Sequence, residues 1–245
     1  MGVTMDASAV ATIAAALVAA LAALTSAWFA QRSAAASRMH TAEALAVKFR
    51  EPLLQAAFNL QTRIYNILRQ GFLRKFTTGP HPERDVAYSI DNTLYLFGQY
   101  FCWVEILRRE SQFLDPRSRE RERAVADQLE KIRDAFASSD VPGATLRIFR
   151  GEQRAIGEVL LEPAGGDGPG VARWDCMGYA SFVERLGSER LDRWFSPLRA
   201  DIEAIRSDPG LGRARLVLVQ HALLTLVEIL DPEAGRTSGR MRERL

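Results

Sequence analysis

The sequence predicts an all-α protein in which a single N-terminal transmembrane helix continues into a stalk and a cytoplasmic multi-helix bundle. Three observations lead to this prediction. Residues 7–30 carry no charged side chain. Beyond them, apolar residues recur at helical spacings of three and four along most of the chain. Asp-Pro pairs and glycine-rich stretches divide these apolar stripes into segments of ordinary helix length.

Residues 7–30 are predicted to span a membrane. A helix of 24 residues extends about 36 Å, which is enough to cross a hydrocarbon core of about 30 Å with some tilt. Half of the run is alanine, so its few larger apolar residues must supply most of the transfer free energy. A cleaved signal peptide is the alternative. It would need a basic start and an apolar core of about 7–15 residues, whereas Asp6 precedes this longer run.

Flanking charge predicts the orientation of this span. No lysine or arginine precedes it, and four basic residues follow within about 20 positions: Arg32, Arg38, Lys48 and Arg50. The short segment 1–6 should therefore lie outside the membrane, with everything from about residue 31 in the cytoplasm. Arginine supplies nearly all of the 32 basic residues, as is typical of a GC-rich genome. We expect a single-pass protein of the bacterial plasma (inner) membrane.

The span also carries an unbroken row of alanines at intervals of four: Ala7, Ala11, Ala15, Ala19, Ala23 and Ala27. Small residues at this spacing let helix backbones approach closely, so the row predicts self-association and a homo-oligomer. Chance is a real alternative. With half the run alanine, one of four such rows would be all alanine roughly one time in sixteen.

Residues 31–51 are predicted to form a helical stalk, because the segment lacks helix breakers and has one apolar stripe. Pro52 should kink or restart the helix, and it marks the start of the bundle domain at 52–232. The next stripe runs to about Leu73. Residues 77–85 contain a glycine and two prolines and should form a loop.

The segment Asp85–Phe113 is the most aromatic of the chain and is predicted to be the central helix of the bundle. Its aromatic stripe is expected to be core, and a hydrophobic ligand groove is the alternative. Glu105 lies within this stripe and would need a partner if it were buried. Asp115 and Pro116 provide an N-cap and a first helical residue for the next helix, which should end near Ala137.

The remaining elements are shorter. Residues 145–149 could be extended or helical, a helix is predicted at Glu152–Leu161, and the glycine-rich segment 162–173 should be a surface loop. Three helices should follow, at 177–186, from 188 to about 207, and at 213–230. Within the last of these, 216–230 is too short and too polar for a second span, so a buried core helix is favoured. The polar tail 233–245 is expected to be disordered.

Composition argues against several classes of function. A net charge of +2 is too balanced to indicate a nucleic-acid partner. The three histidines are scattered, and the glycines at 165–170 lack the Lys-Ser/Thr pair of a phosphate loop. Cys102 and Cys176 lack metal-site spacing and fit a reduced compartment better than a disulfide framework. We expect no metal, no cofactor and no familiar catalytic motif.

The densest polar cluster lies at 147–158 and includes Arg147, Arg150, Gln153, Arg154 and Glu158. If this segment is helical, the three arginines share one face, and their guanidinium forks could bind an anion or an acidic partner. The simpler alternative is a solvated helix face on which Glu158 pairs with Arg154.

Taken together, these features favour a membrane-anchored interaction or scaffold protein that self-associates through its span and binds a protein partner of unknown identity. An enzyme is less favoured. The alternatives are a membrane-tethered enzyme with a site on the bundle and a small oligomeric pore formed by the first helix.

Overall fold

The structure, a computed structural model, describes residues 7–76, 80–110, 119–165, 174–237 and 242–245. Within the helices, the side chains of residues 7–19, 21–22, 33–48 and 119–122 lie outside that description. The chain is mostly helical, with 74% of residues in helices, which confirms the all-α prediction at this level. In chain order, the helices are α1 (Ala7–Gln70), α2 (Phe72–Lys75), α3 (Glu83–Glu110), α4 (Arg119–Ala137), α5 (Arg150–Val159), α6 (Tyr179–Arg185), α7 (Glu189–Ser207) and α8 (Arg213–Leu230).

Helix α1 is a single helix of 64 residues, with Pro52 inside it rather than at a break. It ends where Gly71 takes a left-handed conformation with φ of 62°, which glycine adopts without steric cost. Its C-terminal third is buried, with Leu54, Ala57, Leu60 and Ile64 fully inaccessible. The segments predicted as span, stalk and first bundle helix therefore form one continuous helix.

Among the residues that the structure describes, no helix is both long enough and apolar enough to span a membrane. Most side chains of the predicted span at 7–30 lie outside that description. The transmembrane helix, its orientation and the cellular location therefore stay predictions.

The bundle is organised around α1, which packs mainly against α8 and α3. Helix α4 lies on α8, and α5 lies on α3. Helix α8 is buried along one side from Leu216 to Leu230, which confirms that this apolar segment is a core helix. The described end of α3 is Glu110, and the predicted helix start at Asp115 and Pro116 lies outside the described residues.

A buried arginine joins two of these helices. The guanidinium of Arg215 on α8 donates hydrogen bonds of 3.0 Å to the carbonyls of Ala135 and Phe136, and one of 3.3 Å to the carbonyl of Gly143. The first two carbonyls belong to the last turn of α4, where intrahelical donors are missing. Arg215 therefore caps α4 from a neighbouring helix.

The predicted loop 162–173 is partly wrong, because its first two residues belong to a β-strand, which pairs with a second strand that begins just after the predicted loop. Strands β1 (Leu161–Pro163) and β2 (Trp174–Cys176) pair antiparallel, with Leu161 opposite Cys176 and Pro163 opposite Trp174. Trp174 and Cys176 pack against the core, which holds the strands in place. Strands of three residues are too short to show an alternating pattern in the sequence.

The region around residue 145 is a turn followed by an extended link into α5. Residues 145–146 form the turn, Leu146 has a positive φ of 57°, and 147–149 are neither helix nor strand. The predicted helix at Glu152–Leu161 begins earlier, at Arg150, and ends at Val159.

The tail 233–245 is predicted to be disordered, but its described parts, 233–237 and 242–245, make specific contacts with the end of α8. The carboxylate of Asp231 accepts hydrogen bonds from the backbone N–H groups of Gly235, Arg236 and Thr237, and it lies 2.6 Å from the guanidinium of Arg242. One aspartate thus satisfies several donors at once, which a composition-based prediction cannot anticipate.

Candidate functional site

The predicted arginine surface is largely neutralised by acids of the same chain. Arg150, at the first position of α5, lies 3.0 Å from a carboxylate oxygen of Glu130 and 2.6 Å from one of Asp134. Both acids lie on α4, so the contacts tie α5 to α4. The side chain of Arg150 is 54% exposed, and ion pairs this exposed to solvent add little to stability.

Two residues of that prediction do not lie on the expected face. Gln153 is buried, and its amide donates hydrogen bonds to the main-chain carbonyls of Arg133 and Ile148 at 3.0 and 2.8 Å. Arg147 precedes α5, and its guanidinium lies 5.5 Å from the ring centre of Phe149. The three arginines therefore do not share one helical face.

The expected pair of Arg154 with Glu158 does form, at 2.9 Å. Glu158 also contacts Arg109 on α3 at 3.3 Å. The network extends to Glu105, which is 3% exposed and accepts charge-assisted hydrogen bonds of 2.8 and 2.7 Å from Arg108 and one of 2.6 Å from Arg109. The buried glutamate of the aromatic stripe thus has the partners that its burial requires.

The alanine row of the span can be placed only in part. Ala23 and Ala27 are exposed, and the side chains of Ala7, Ala11, Ala15 and Ala19 lie outside the described residues. Self-association through this row remains a prediction.

A different arginine stands where five elements meet, and we define this as the Arg63 site. Arg63 comes from α1, Phe72 from α2, Tyr88 and Asn92 from α3, and Tyr179 from α6. The fifth element, α7, contributes Arg199, which pairs with Asp91 of α3 at 2.7 Å. Because these residues lie far apart in sequence, only the folded bundle assembles the site.

The guanidinium of Arg63 has neutral neighbours. Its carbon lies 4.0 Å from the ring centre of Phe72, which is cation–π range. It donates hydrogen bonds to Oδ1 of Asn92 at 2.5 Å and to Oγ1 of Thr93 at 3.4 Å. Tyr88 also lies close to the guanidinium. Every one of these contacts is with an uncharged group.

Burial lowers the pKa of Arg63, and the tyrosines Tyr88 and Tyr179 offset only part of that effect. An arginine nevertheless stays protonated in water at any ordinary pH. Among the described residues, no hydrogen bond or ion pair joins this half-buried positive charge to a carboxylate. Such a charge is costly unless an anion pairs with it.

Aromatic rings extend from the Arg63 site to the protein surface. The side chain of Tyr88 is 47% exposed, and its ring lies 6.3 Å from that of Tyr179, which in turn lies 5.3 Å from that of Tyr95. Tyr95 is buried and donates its hydroxyl to the carbonyl of Met177 at 3.0 Å. Part of the aromatic stripe of α3 therefore reaches the surface, although most of it is core.

Arg63 is not among the residues that the sequence patterns single out, although a signal is present. Between Pro52 and Leu68, Arg63 is the sole charged residue, and its neighbour Ile64 belongs to the buried stripe. An isolated charge inside an apolar helix is a reasonable candidate for a functional residue. Its uncharged surroundings come from other helices and could not be predicted.

Comparison of the chain with protein families, curated proteins and solved structures finds no match in any of the three. The function must therefore be argued from the geometry.

Proposed function

We propose that this protein is a membrane-anchored helical interaction protein whose bundle binds a carboxylate of a partner protein at the Arg63 site. The observation that carries the proposal is the half-buried guanidinium of Arg63, whose hydrogen bonds and ring contact within the described part of the chain are with neutral groups, next to an exposed tyrosine. Arginine presents its donors in a fork that matches a carboxylate, and its remaining charge is not used inside the protein.

A protein carboxylate suits this site better than a free ion. Tyr88 and Tyr179 offer aromatic surface beside the charge, and tyrosine and arginine are the residue types enriched where protein interfaces carry most of their binding energy. An acidic side chain would place its carboxylate at Arg63 and its backbone against these rings.

The membrane anchor rests on the uncharged run 7–30 and on exposed apolar residues within it. Leu24, Trp28 and Phe29 are 68%, 53% and 65% exposed. An exposed apolar surface of this kind usually binds another protein or a membrane. An uncharged run of 24 residues is long enough to be buried in lipid. The guanidinium of Arg32 lies 5.0 Å from the centre of the Trp28 ring, a combination typical of a membrane interface. Association of the spans would place two or more bundles side by side.

Photo-crosslinking in the protein's own membrane tests the binding site. A photoreactive residue at the exposed position Arg84, one turn before Tyr88 on α3, is introduced into the full chain. The expected result is a crosslink to a partner that survives Arg69→Gln and is lost in Arg63→Gln. Arg69 is the matched control, because it lies on the same helix and is 63% exposed.

Two outcomes would contradict this site. Equal crosslink yields in Arg63→Gln and Arg69→Gln would mean that Arg63 is structural. If the crosslink is lost in Arg150→Glu/Arg154→Glu but kept in Arg63→Gln, the acidic partner binds the arginine surface of α5 instead.

Cysteine accessibility labelling tests the anchor and its orientation. In a chain without its two native cysteines, a reporter at Val3 should react from outside intact cells. A reporter at Glu233 should react only after the membrane is opened. Labelling of both reporters on one side would refute the proposed topology.

A further inference from the structure

Cys102 and Cys176, the two cysteines of the chain, meet in the fold although they are far apart in sequence. Cys102 lies on α3 and is part of the core, and Cys176 ends β2 and packs against that core, where it raises the pKa of Cys102. Both are free thiols. Spacing in the sequence could not reveal this pair, because only the packing of the hairpin against α3 creates it.

Contacts on either side hold the two sulfurs together. Strand β2 runs antiparallel to α3, with the ring of Trp174 lying 5.3 Å from the guanidinium carbon of Arg109. At the other end, the hydroxyl of Tyr95 donates to the carbonyl of Met177. Cys102 is seven residues from each of these α3 anchors, or about 10.5 Å along the helix. The two thiols thus lie between two contacts that hold β2 against α3.

The two thiols differ in access. Cys102 is 0% exposed, whereas Cys176 is half-buried. The neighbouring Cys176 and burial both raise the pKa of Cys102, so this sulfur stays a thiol. Cys176 is therefore the sulfur that an external reagent meets first, and Cys102 is placed to react with it afterwards.

We propose that Cys102 and Cys176 form a reversible intramolecular disulfide by exchange with a small-molecule disulfide. The thiolate of Cys176 attacks one sulfur of the small disulfide, which forms a mixed disulfide and releases one small thiolate. Cys102 then passes its proton to the small thiolate released first and attacks the Cys176 sulfur, which forms the protein disulfide and releases the second small thiolate. The two protein thiols lose two electrons in total, and the small disulfide gains them as it becomes two thiols.

The bond would attach the hairpin covalently to the central helix. In a reducing cytoplasm the resting state is the dithiol, which agrees with the compartment expected from the cysteine content. Oxidising conditions would then fix β2 on α3.

Oxidised glutathione is the probe for this exchange. The full-length protein in detergent is incubated with mixtures of reduced and oxidised glutathione, quenched with acid, alkylated in denaturant and analysed by peptide mass spectrometry. The expected product is one intramolecular Cys102–Cys176 disulfide with no alkylated cysteine. It should form at least about tenfold faster in the folded protein than in the same protein in urea, because the fold holds the two sulfurs together.

The two single variants separate the roles of the sulfurs. Cys102→Ala should accumulate one glutathionyl group on Cys176, because no second thiol resolves the mixed disulfide. Cys176→Ala should leave Cys102 unmodified while the protein is folded. Circular dichroism of each variant before treatment reports folding. If Cys102→Ala does not fold, the wild-type comparison between folded and urea-unfolded protein decides alone.

Three results would overturn the proposal. The first is a folded wild-type protein that keeps both thiols free or carries two glutathionyl groups. The second is a disulfide between two copies of the chain instead of within one. The third is formation of the intramolecular bond at equal rates in folded and unfolded protein, which would mean that the fold contributes nothing.

Discussion

Replacing Gly157 with alanine tests how closely α5 lies on the central helix α3. A β-carbon at Gly157 would lie 2.5 Å from the carbonyl oxygen of Phe101 and 3.2 Å from the Cβ of Glu105. Ordinary contact begins at 3.4 Å, so the helices would have to separate locally by about 0.9 Å. The oxygen belongs to the main chain of α3 and cannot rotate out of the way.

Two opposing effects determine how much Gly157→Ala changes the free energy of unfolding. Alanine favours the helical state over glycine by about 1 kcal/mol, whereas overpacking a tight contact costs about 1–3 kcal/mol. Because the obstacle is backbone, we expect the upper end of that range and a net loss of about 2 kcal/mol. Gly151 is the matched control. It lies on the same helix, and a β-carbon added there would have nothing within 4 Å, so Gly151→Ala should gain up to about 1 kcal/mol.

Thermal unfolding of the full chain in detergent, followed by circular dichroism, measures both effects. For a domain of this size about 1 kcal/mol corresponds to about 2–4 °C. Gly157→Ala should therefore lower the melting temperature by about 4–8 °C, and Gly151→Ala should leave it unchanged or raise it slightly. A Gly157→Ala protein that melts at or above the wild-type temperature would show that α5 does not approach α3 this closely.

Three further predictions concern buried polar groups. Glu105→Gln should cost about 1.5–3 kcal/mol near neutral pH. Burial alone would raise the pKa of Glu105, but the hydrogen bonds from Arg108 and Arg109 hold it below its ordinary value of 4.5. The folded protein therefore stabilises the charged form of Glu105. The difference in the free energy of unfolding between wild type and variant, measured with urea, should become smaller as the pH falls below 4.5, and a larger difference would contradict this prediction. Arg215→Met should cost about 2–4 kcal/mol in the same assay, since the carbonyls of Ala135, Phe136 and Gly143 each lose a hydrogen bond; an unchanged midpoint would contradict the capping role. Asp231→Asn should release the tail, so limited proteolysis should cleave after residue 233 much sooner than in the wild type, and equal cleavage rates would show that the aspartate does not hold it.

Much of the helical architecture could be predicted from the sequence, because each helix shows an apolar stripe and most of the loops contain glycine or proline. The central helix α3 is predicted at Asp85–Phe113 and observed at Glu83–Glu110. The hairpin could not be predicted, since its strands are only three residues long and depend on packing against α3. Local propensity contains no information about such a contact.

In the candidate sites, too, contacts within one helix could be predicted, whereas contacts between elements could not. The pair of Arg154 with Glu158 follows from spacing along one helix and could be predicted. The acids that neutralise Arg150 come from α4, and the ring beside Arg63 comes from α2. Charge balance at a site depends on such partners from other elements, so the spacing of basic residues in the sequence cannot show which arginine lacks a compensating acid.

The pairing of the first helix with the last one has a consequence for biosynthesis. Arg50 of α1 contacts the carbonyl of Leu230 at the end of α8, a separation of 180 residues. At about 5–20 residues per second, a ribosome needs about 9–36 s to make the intervening chain. During that interval the side of α1 that packs against α8 has emerged without this partner. A chain that lacks α8 would leave this surface of α1 exposed permanently, so the bundle is complete only once α8 has been made.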